Sequence, residues 1–231
     1  MVEKRLFAVD PALHRVASEP ARRAFAGATV RVARLGPGPF EPTELVDRTA
    51  FALIVTEGLL ARRVDVPGGC AVELLAPRHM LQPWAAEAPS FAEVAWSVVD
   101  TAELYAIGSQ LGRALAAHDE IFGELVSRGI QRAHALTVSA AIESVVGVEK
   151  RVLLALWQLA ETCGTVTAEG VVMPLHLTHE LVATLVGSRR PSVTSALAAL
   201  ADEGEITRRG DGGWLLTGEC PTNARLPVAP V

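Results

Sequence analysis

Apolar residues in the first half of the chain come in short runs: Thr29–Leu35, Ala50–Thr56, Leu59–Val66, Cys70–Leu75 and Val94–Ile107. Val30 and Val32 flank Arg31, the two-residue period of a half-buried strand. Turn signals stand between the runs: Gly36-Pro37-Gly38-Pro39, Glu57-Gly58 and Pro67-Gly68-Gly69. The spacing predicts short antiparallel strands closed by tight turns, as in a small barrel or roll. Pro67-Gly68-Gly69 supplies the positive φ that a hairpin reversal needs.

From about Ser109 the period changes. Residues 109–144 lack Pro and are rich in Ala, Leu, Glu and Arg, which predicts helix. A seven-residue pattern runs through Phe122, Val126, Gly129, Ala133, Leu136 and Ala140 and fails at Glu143. Its small residues (Gly129, Ala133, Ala140) permit close approach of a second helix. The pattern fits equally a helix packed on its own domain and a helix paired with a second copy. Gly147 punctuates the stretch. A further helix, Glu149–Glu161, turns Val152, Leu153, Leu156 and Trp157 inward and ends at Cys163-Gly164. Val171–Leu177 reads as a strand broken by Pro174, which suits a sheet edge.

The sharpest local pattern is Leu177–Gly204. Thr178 is an N-cap residue, and Glu180 complements the helix dipole. Leu181, Val182, Leu185 and Val186 give the short helix an apolar face. Gly187 ends it, Ser188 is placed to cap the next helix, and Pro191 lies in that helix's first turn. Val193, Leu197 and Leu200 form the second buried stripe, and Gly204 stops it. Two helices joined by a tight Gly-containing turn are a helix-turn-helix. Ile206–Arg209, a Gly210–Gly213 turn and Trp214–Thr217 then predict a hairpin, which makes the unit a winged helix. The second helix of such a motif enters the major groove and presents its N-terminal residues to base edges. Those residues are Arg189, Arg190, Ser192, Thr194 and Ser195. Arginine pairs bidentately with guanine. Thr178, Ser188, Arg208 and Arg209 are candidate phosphate contacts. A lone arginine pair is ordinarily a solvated helix end; its place at the start of a recognition-type helix favours DNA contact. Trp214 is read as a wing core residue.

Composition narrows the classes. The 231 residues are 50% hydrophobic, 20% charged and only 5% aromatic, enough for a sizeable Ala/Val/Leu core. A net charge of −5 excludes a uniformly basic nucleic-acid coat but not local basic sites. No apolar run approaches the roughly 18 residues of a membrane span, and the N-terminus lacks a signal-peptide core. A soluble, cytoplasmic protein without membrane partners is expected. Cys70, Cys163 and Cys220 are too few and too scattered for a disulfide framework or an iron–sulfur cluster. Cys70, near a hairpin, is read as a small apolar residue, with a redox-sensing thiol as the alternative. His14, His79, His118 and His134 have no ligand spacing and are read as surface or packed histidines. No nucleophile elbow, phosphate-binding loop, zinc-protease or dinucleotide motif is present. No catalytic residue, metal or cofactor is therefore expected, and the chain is read as a non-enzyme.

The order of parts resembles the cyclic AMP receptor protein/FNR family of bacterial transcription regulators. The resemblance is best over Val148–Gly218, with SRRPSVTSALAALADEGEI its most specific piece. It implies an α+β fold: residues 1–118 a cyclic-nucleotide-binding-like sensor β-roll, 119–147 a dimerisation helix, 148–218 a winged helix, 219–231 a loose tail. It implies a homodimer acting on double-stranded DNA with a palindromic operator, and makes RNA polymerase a candidate partner. Arg190 and Ser192 match the family's recognition-helix pattern. Pro191 replaces its acidic base reader, so the operator should differ. Nucleotide-binding relatives carry Gly-Glu and a downstream Arg-Ser or Arg-Thr. The aligned stretch here, LAPRHMLQPWAAEAPSFAEVAWSVV, has no Gly and no Arg after Arg78. Of the helix positions that would meet the base, Leu136 and Thr137, only Thr137 is polar. Ordinary cyclic nucleotide binding is not expected, and an unknown small-molecule effector is left open. The alternative reading is a small-molecule or protein-binding sensor whose winged helix contacts proteins, motivated by Asp202, Glu203, Glu205 and Asp211 around the arginines.

Overall fold

The computed structural model describes residues 1–84 and 88–221 and divides into two units, Met1–Ala140 and Ala141–Val231. The first opens with β1 (Val2–Arg5) and three short helices, α1 (Leu6–Val9), α2 (Pro11–Val16) and α3 (Glu19–Phe25). There follow β2 (Thr29–Leu35), β3 (Gly38–Pro39), β4 (Ala52–Val66), β5 (Gly69–Leu75), β6 (Met80–Leu81) and β7 (Glu93–Ile107). The pairing is antiparallel, in the order β1-β2-β7-β4-β5, with β3 on β7 and β6 on β4. Successive residues of β4 face opposite sides. Ala52 and Ile54 join one apolar core with Leu6, Leu13, Tyr105 and Ile107. Leu53 and Val55 join another with Leu75, Leu81, Trp96 and Leu104.

The turn expected at Glu57-Gly58 is absent. β4 runs straight through it, and its register against β7 shifts between Val55 and Leu60. Gly58 has a φ of +78°, and a Cβ there would strike the Thr101 carbonyl. The glycine marks a bulge rather than a reversal. The Pro67-Gly68 reversal forms as expected, with Gly68 at φ +86° between paired Val66 and Gly69.

The helical stretch is two helices, α4 (Ser109–Ala116) and α5 (Asp119–Glu143). Ile121 and Leu125 of α5 enter the first core. Arg128, one turn on, is only 1% exposed. Its Nη1 and Nη2 donate to the two Asp10 carboxylate oxygens at 2.6 and 3.1 Å, and its Nε donates to Glu124 at 2.9 Å. Tyr105 adds a hydroxyl donor to Asp10 at 2.7 Å. Asp10 also accepts from Leu13 N–H, capping α2. Burial alone would raise the Asp10 carboxyl; the hydrogen bonds and charge of Arg128 outweigh it and hold that group below its usual range. The same burial pushes the Tyr105 hydroxyl up.

The second unit comprises the last turn of α5, then α6 (Val148–Cys163), β8 (Thr165–Thr167), β9 (Gly170–Met173), α7 (His179–Leu185), α8 (Arg190–Asp202), β10 (Ile206–Arg208) and β11 (Trp214–Leu216). Its sheet order is β10-β11-β9-β8. The strand expected at Val171–Leu177 stops at Met173, before Pro174, and it is not an edge: β8 covers one side and β11 the other. Burial pushes the Cys163 thiol up to about 11, so it stays protonated. Cys70 is exposed on β5, not packed as a small apolar residue. The histidines are placed as expected: His14 and His118 meet Phe7 and Phe25 edge-on, His79 is held by the Ala76 N–H, and His134 is exposed. Of the expected tail, residues 222–231 lie outside those described. Among the described residues, no helix is long and apolar enough to cross a membrane.

Candidate nucleic-acid interface

Local chemistry sets the helix pair. Thr178 Oγ1 accepts from Leu181 N–H at 3.1 Å and starts α7. Gly187, at φ +56°, turns the chain, and Ser188 N–H closes on Ala183 carbonyl at 2.9 Å. Arg189, not Ser188, occupies the N-cap position of α8, with no side-chain cap bond. Ser188 therefore belongs to the turn. Pro191 falls in the first turn of α8 as expected, where its missing N–H costs nothing. Val182, Ala183, Val193, Leu197 and Leu200 are buried between the helices and their sheet.

The expected contact residues divide sharply. Arg189, Arg190 and Ser192 are exposed, and among the described residues their side chains have no hydrogen-bond or ion-pair partner. Thr194 and Ser195 are exposed too, but their hydroxyls donate back to the Arg190 and Pro191 carbonyls at 3.0 and 3.3 Å. Arg208 is stacked over the Trp214 ring at 4.4 Å and reaches the Leu177 carbonyl at 3.5 Å. Arg209 pairs with Asp211 at 3.2 Å. Asp211 in turn holds the Gly213 N–H, and that bond, ahead of Arg209, keeps its carboxyl below the usual range. Trp214 is buried in the wing.

Sequence reasoning missed His179. Its Nδ1 lies 2.9 Å from Thr194 Oγ1, a contact spanning fifteen residues. Because the Thr194 hydroxyl proton goes to the Arg190 carbonyl, Nδ1 is the donor in this pair. The ring thus braces the recognition helix from α7. Nothing in the local pattern signals it. Arg151 of α6 supplies another brace, its Nη1 reaching the Glu143 and Gly187 carbonyls at 3.4 Å each.

Residues 150–217 match the Crp-like helix-turn-helix domain. A cyclic nucleotide-binding domain containing protein from Listeria monocytogenes aligns with a TM-score of 0.65 at 16% identity, over 90% of this chain and 97% of that one. A CRP-family transcriptional regulator from Thermus thermophilus gives 0.59 at 18%, over 80% and 92%. FixK2 from Bradyrhizobium japonicum gives 0.61 at 13%, over 82% and 93%. Residues 150–217 therefore carry a Crp-like helix-turn-helix domain, and the chain has the fold of these proteins. At those identities the structural likeness is one of fold. Among curated proteins none matches the sequence. The Crp/Fnr transcriptional-regulator fold accounts for both the antiparallel N-terminal sheet and the winged helix. Within it, Pro191 stands where an acidic base reader was expected. Its ring has no hydrogen-bond donor or acceptor to offer.

Proposed function

We propose that the chain is a homodimeric, sequence-specific DNA-binding transcription regulator. One observation carries this reading: Arg189, Arg190 and Ser192 stand exposed and, among the described residues, unpartnered at the start of the second helix of a Crp-like helix-turn-helix. Arg190 reads guanine, and Arg189 and Ser192 supply flanking base or phosphate contacts. Thr178 and Ser188 offer hydroxyls to the backbone. Thr194 and Ser195 contribute after giving up their intrahelical bonds. Arg208 and Arg209 approach phosphate from the wing, Arg208 with its guanidinium stacked over Trp214.

Dimerisation is supported by α5. Phe122, Val126 and Leu136 of the seven-residue pattern are exposed, as is neighbouring Ile130 at 64%. An apolar stripe of that length on a soluble helix calls for a partner. Two-fold symmetry then predicts a palindromic operator with half-site centres roughly 34 Å apart. The chain is read as non-enzymatic, and ordinary cyclic nucleotide control as absent.

Selection of duplexes from random DNA, followed by footprinting, tests the reading. A palindromic consensus bound with steep salt dependence is expected. Binding insensitive to salt, or no selected sequence, would overturn it in favour of a protein-contacting winged helix.

A further inference from the structure

Residues 176–179 tie together the three parts of the candidate interface. His176 Nε2 lies 2.7 Å from the Asp211 carbonyl in the wing turn. The Leu177 carbonyl accepts from Arg208 Nη1 at 3.5 Å. Thr178 caps α7, and His179 Nδ1 donates to Thr194 Oγ1 of α8 at 2.9 Å. The fit at the wing is close: a Cβ at Gly212, φ +83°, would strike the His176 ring.

His179 differs from the other three in what its ring has left to give. The Thr194 hydroxyl proton is on the Arg190 carbonyl at 3.0 Å, which fixes Nδ1 as the donor of the pair. The neutral ring therefore carries its one N–H at Nδ1, and Nε2 is a bare lone pair. Nε2 has no partner among the described residues and is open to solvent. Arg190 and Thr194, four residues apart, share one face of α8, and both are exposed. The ring lies against that face, with Nδ1 turned to Thr194 and Nε2 turned away from it. His179 is also the first residue of α7, the helix that crosses the nucleic-acid backbone in such a motif.

A lone pair set against a phosphate oxygen is repelled. A proton on Nε2 turns the same atom into a charged donor, and such a bond to an anionic oxygen is short and strong. Histidine is the side chain whose charge ordinarily changes between about pH 5 and 8. Both charge states keep Nδ1–H, so protonation leaves the brace to Thr194 intact. The charged and titratable groups on the surrounding elements are His176 in the preceding segment, Glu180 on α7, Arg189 and Arg190 on α8, and Arg208 and Asp211 of the wing. None of them bonds to the His179 ring. A phosphate would be the nearest anion and would favour the charged ring.

We propose that His179 is a proton-linked phosphate contact: a duplex docked on α8 sets a backbone phosphate at Nε2, the ring takes one proton per subunit from solvent, and affinity for DNA rises as pH falls. The inference rests on the DNA-binding reading above. The sign follows from linkage. The ring is charged in the complex at pH values where the free ring is neutral, so affinity gains as pH falls and levels off once the free ring is charged as well.

The test uses the full chain and a duplex selected from random DNA, titrated calorimetrically at pH 6, 7 and 8 in paired buffers of different ionisation enthalpy. Binding at pH 7 should take up protons. Affinity should rise at least about tenfold from pH 8 to pH 6 in a dimer with two such rings. The salt slope should be steeper by about 2 at pH 6, close to 0.9 for each phosphate neutralised. His179→Asn, which keeps an N–H donor in the place of Nδ1, should abolish the proton uptake and the pH dependence, whereas His176→Gln should keep both. His179→Arg, permanently charged, should bind at pH 8 within about threefold of the parent at pH 6. Far-UV circular dichroism checks that each variant keeps the parent fold. Proton uptake that persists in His179→Asn overturns the proposal. So does a loss in that variant that is equal at all three pH values, which would make the ring a brace and nothing more. Specific binding by the parent that ignores pH removes this contact alone and leaves the DNA-binding reading in place. A chain that binds no duplex at any of the three pH values removes that reading, and this inference with it.

Discussion

Arg128 and Arg190 carry the same side chain in opposite settings. Arg128 is enclosed, and its Nε, Nη1 and Nη2 all donate to carboxylates. Arg190 projects from a helix start with no internal partner among the described residues. An enclosed guanidinium whose donors are satisfied holds a fold together and offers nothing to a ligand. An exposed one with open donors adds little to stability and has its full hydrogen-bonding capacity to give. The contrast separates engaged arginines from available ones, a distinction that their positions along the chain do not make.

The contrast is broken first at its buried end. Arg128→Ala should destabilise the first unit by about 3–5 kcal/mol, because Asp10 would be left as a buried carboxylate without its counter-charge. Urea unfolding of the two units measures it, and a loss below about 1 kcal/mol would refute the buried-pair description. Gly58→Ala should cost about 2–3 kcal/mol through its positive φ and the blocked Thr101 carbonyl. Thermal unfolding reads that out, and an unchanged Tm would mean the bulge relaxes. Arg190→Ala should do the reverse of Arg128→Ala: stability within about 0.5 kcal/mol of the parent, operator binding weakened by about 1–3 kcal/mol, with specificity relaxed at one base position. Retained discrimination in a gel-shift series would move base reading elsewhere.

Acid offers a smaller test. The folded Asp10 carboxyl lies below its unfolded value of about 3.9. Its contribution is therefore complete above roughly pH 4 and is lost as pH falls from there through the lower folded value. Stability of the sensor unit should decline over that window, and Asp10→Asn should flatten the decline while lowering stability at neutral pH. A slope unchanged by the substitution would assign acid sensitivity to other carboxylates. The smallest expected effect is at the wing. Arg209→Ala should weaken DNA binding by less than about 1 kcal/mol, since Asp211 already shares that charge. A loss equal to that of Arg190→Ala would erase the distinction between open and engaged cations within the interface.

What the sequence disclosed follows the range of the interactions involved. The Thr178 cap, the Gly187 turn, Pro191 in the first turn of α8 and the wing hairpin are set by residues within a few positions of one another, and the pattern shows them directly. α1, α2 and α3 are four to seven residues long, too short for an apolar period to declare itself. The Glu57-Gly58 pair carries turn chemistry, yet β7 pairs across it and converts the turn into a bulge. The Asp10–Arg128 pair spans 118 residues, and the His179–Thr194 brace joins two helices; neither leaves a local signature. In the candidate interface, the sequence names the residue types but not their engagement. Arg208, Arg209, Thr194 and Ser195 read like Arg190 and Ser192 until their internal partners are seen.

The enclosed pair also limits how the protein can be shortened. Asp10 belongs to the extreme N-terminal segment, while the cation it neutralises is on α5. A fragment trimmed to begin at β2 would keep every long strand and still leave Arg128 with Glu124 as its one remaining carboxylate partner among the described residues. Residues 6–25 therefore belong to the fold, and a tag or fusion placed within them threatens the core they share with the sheet.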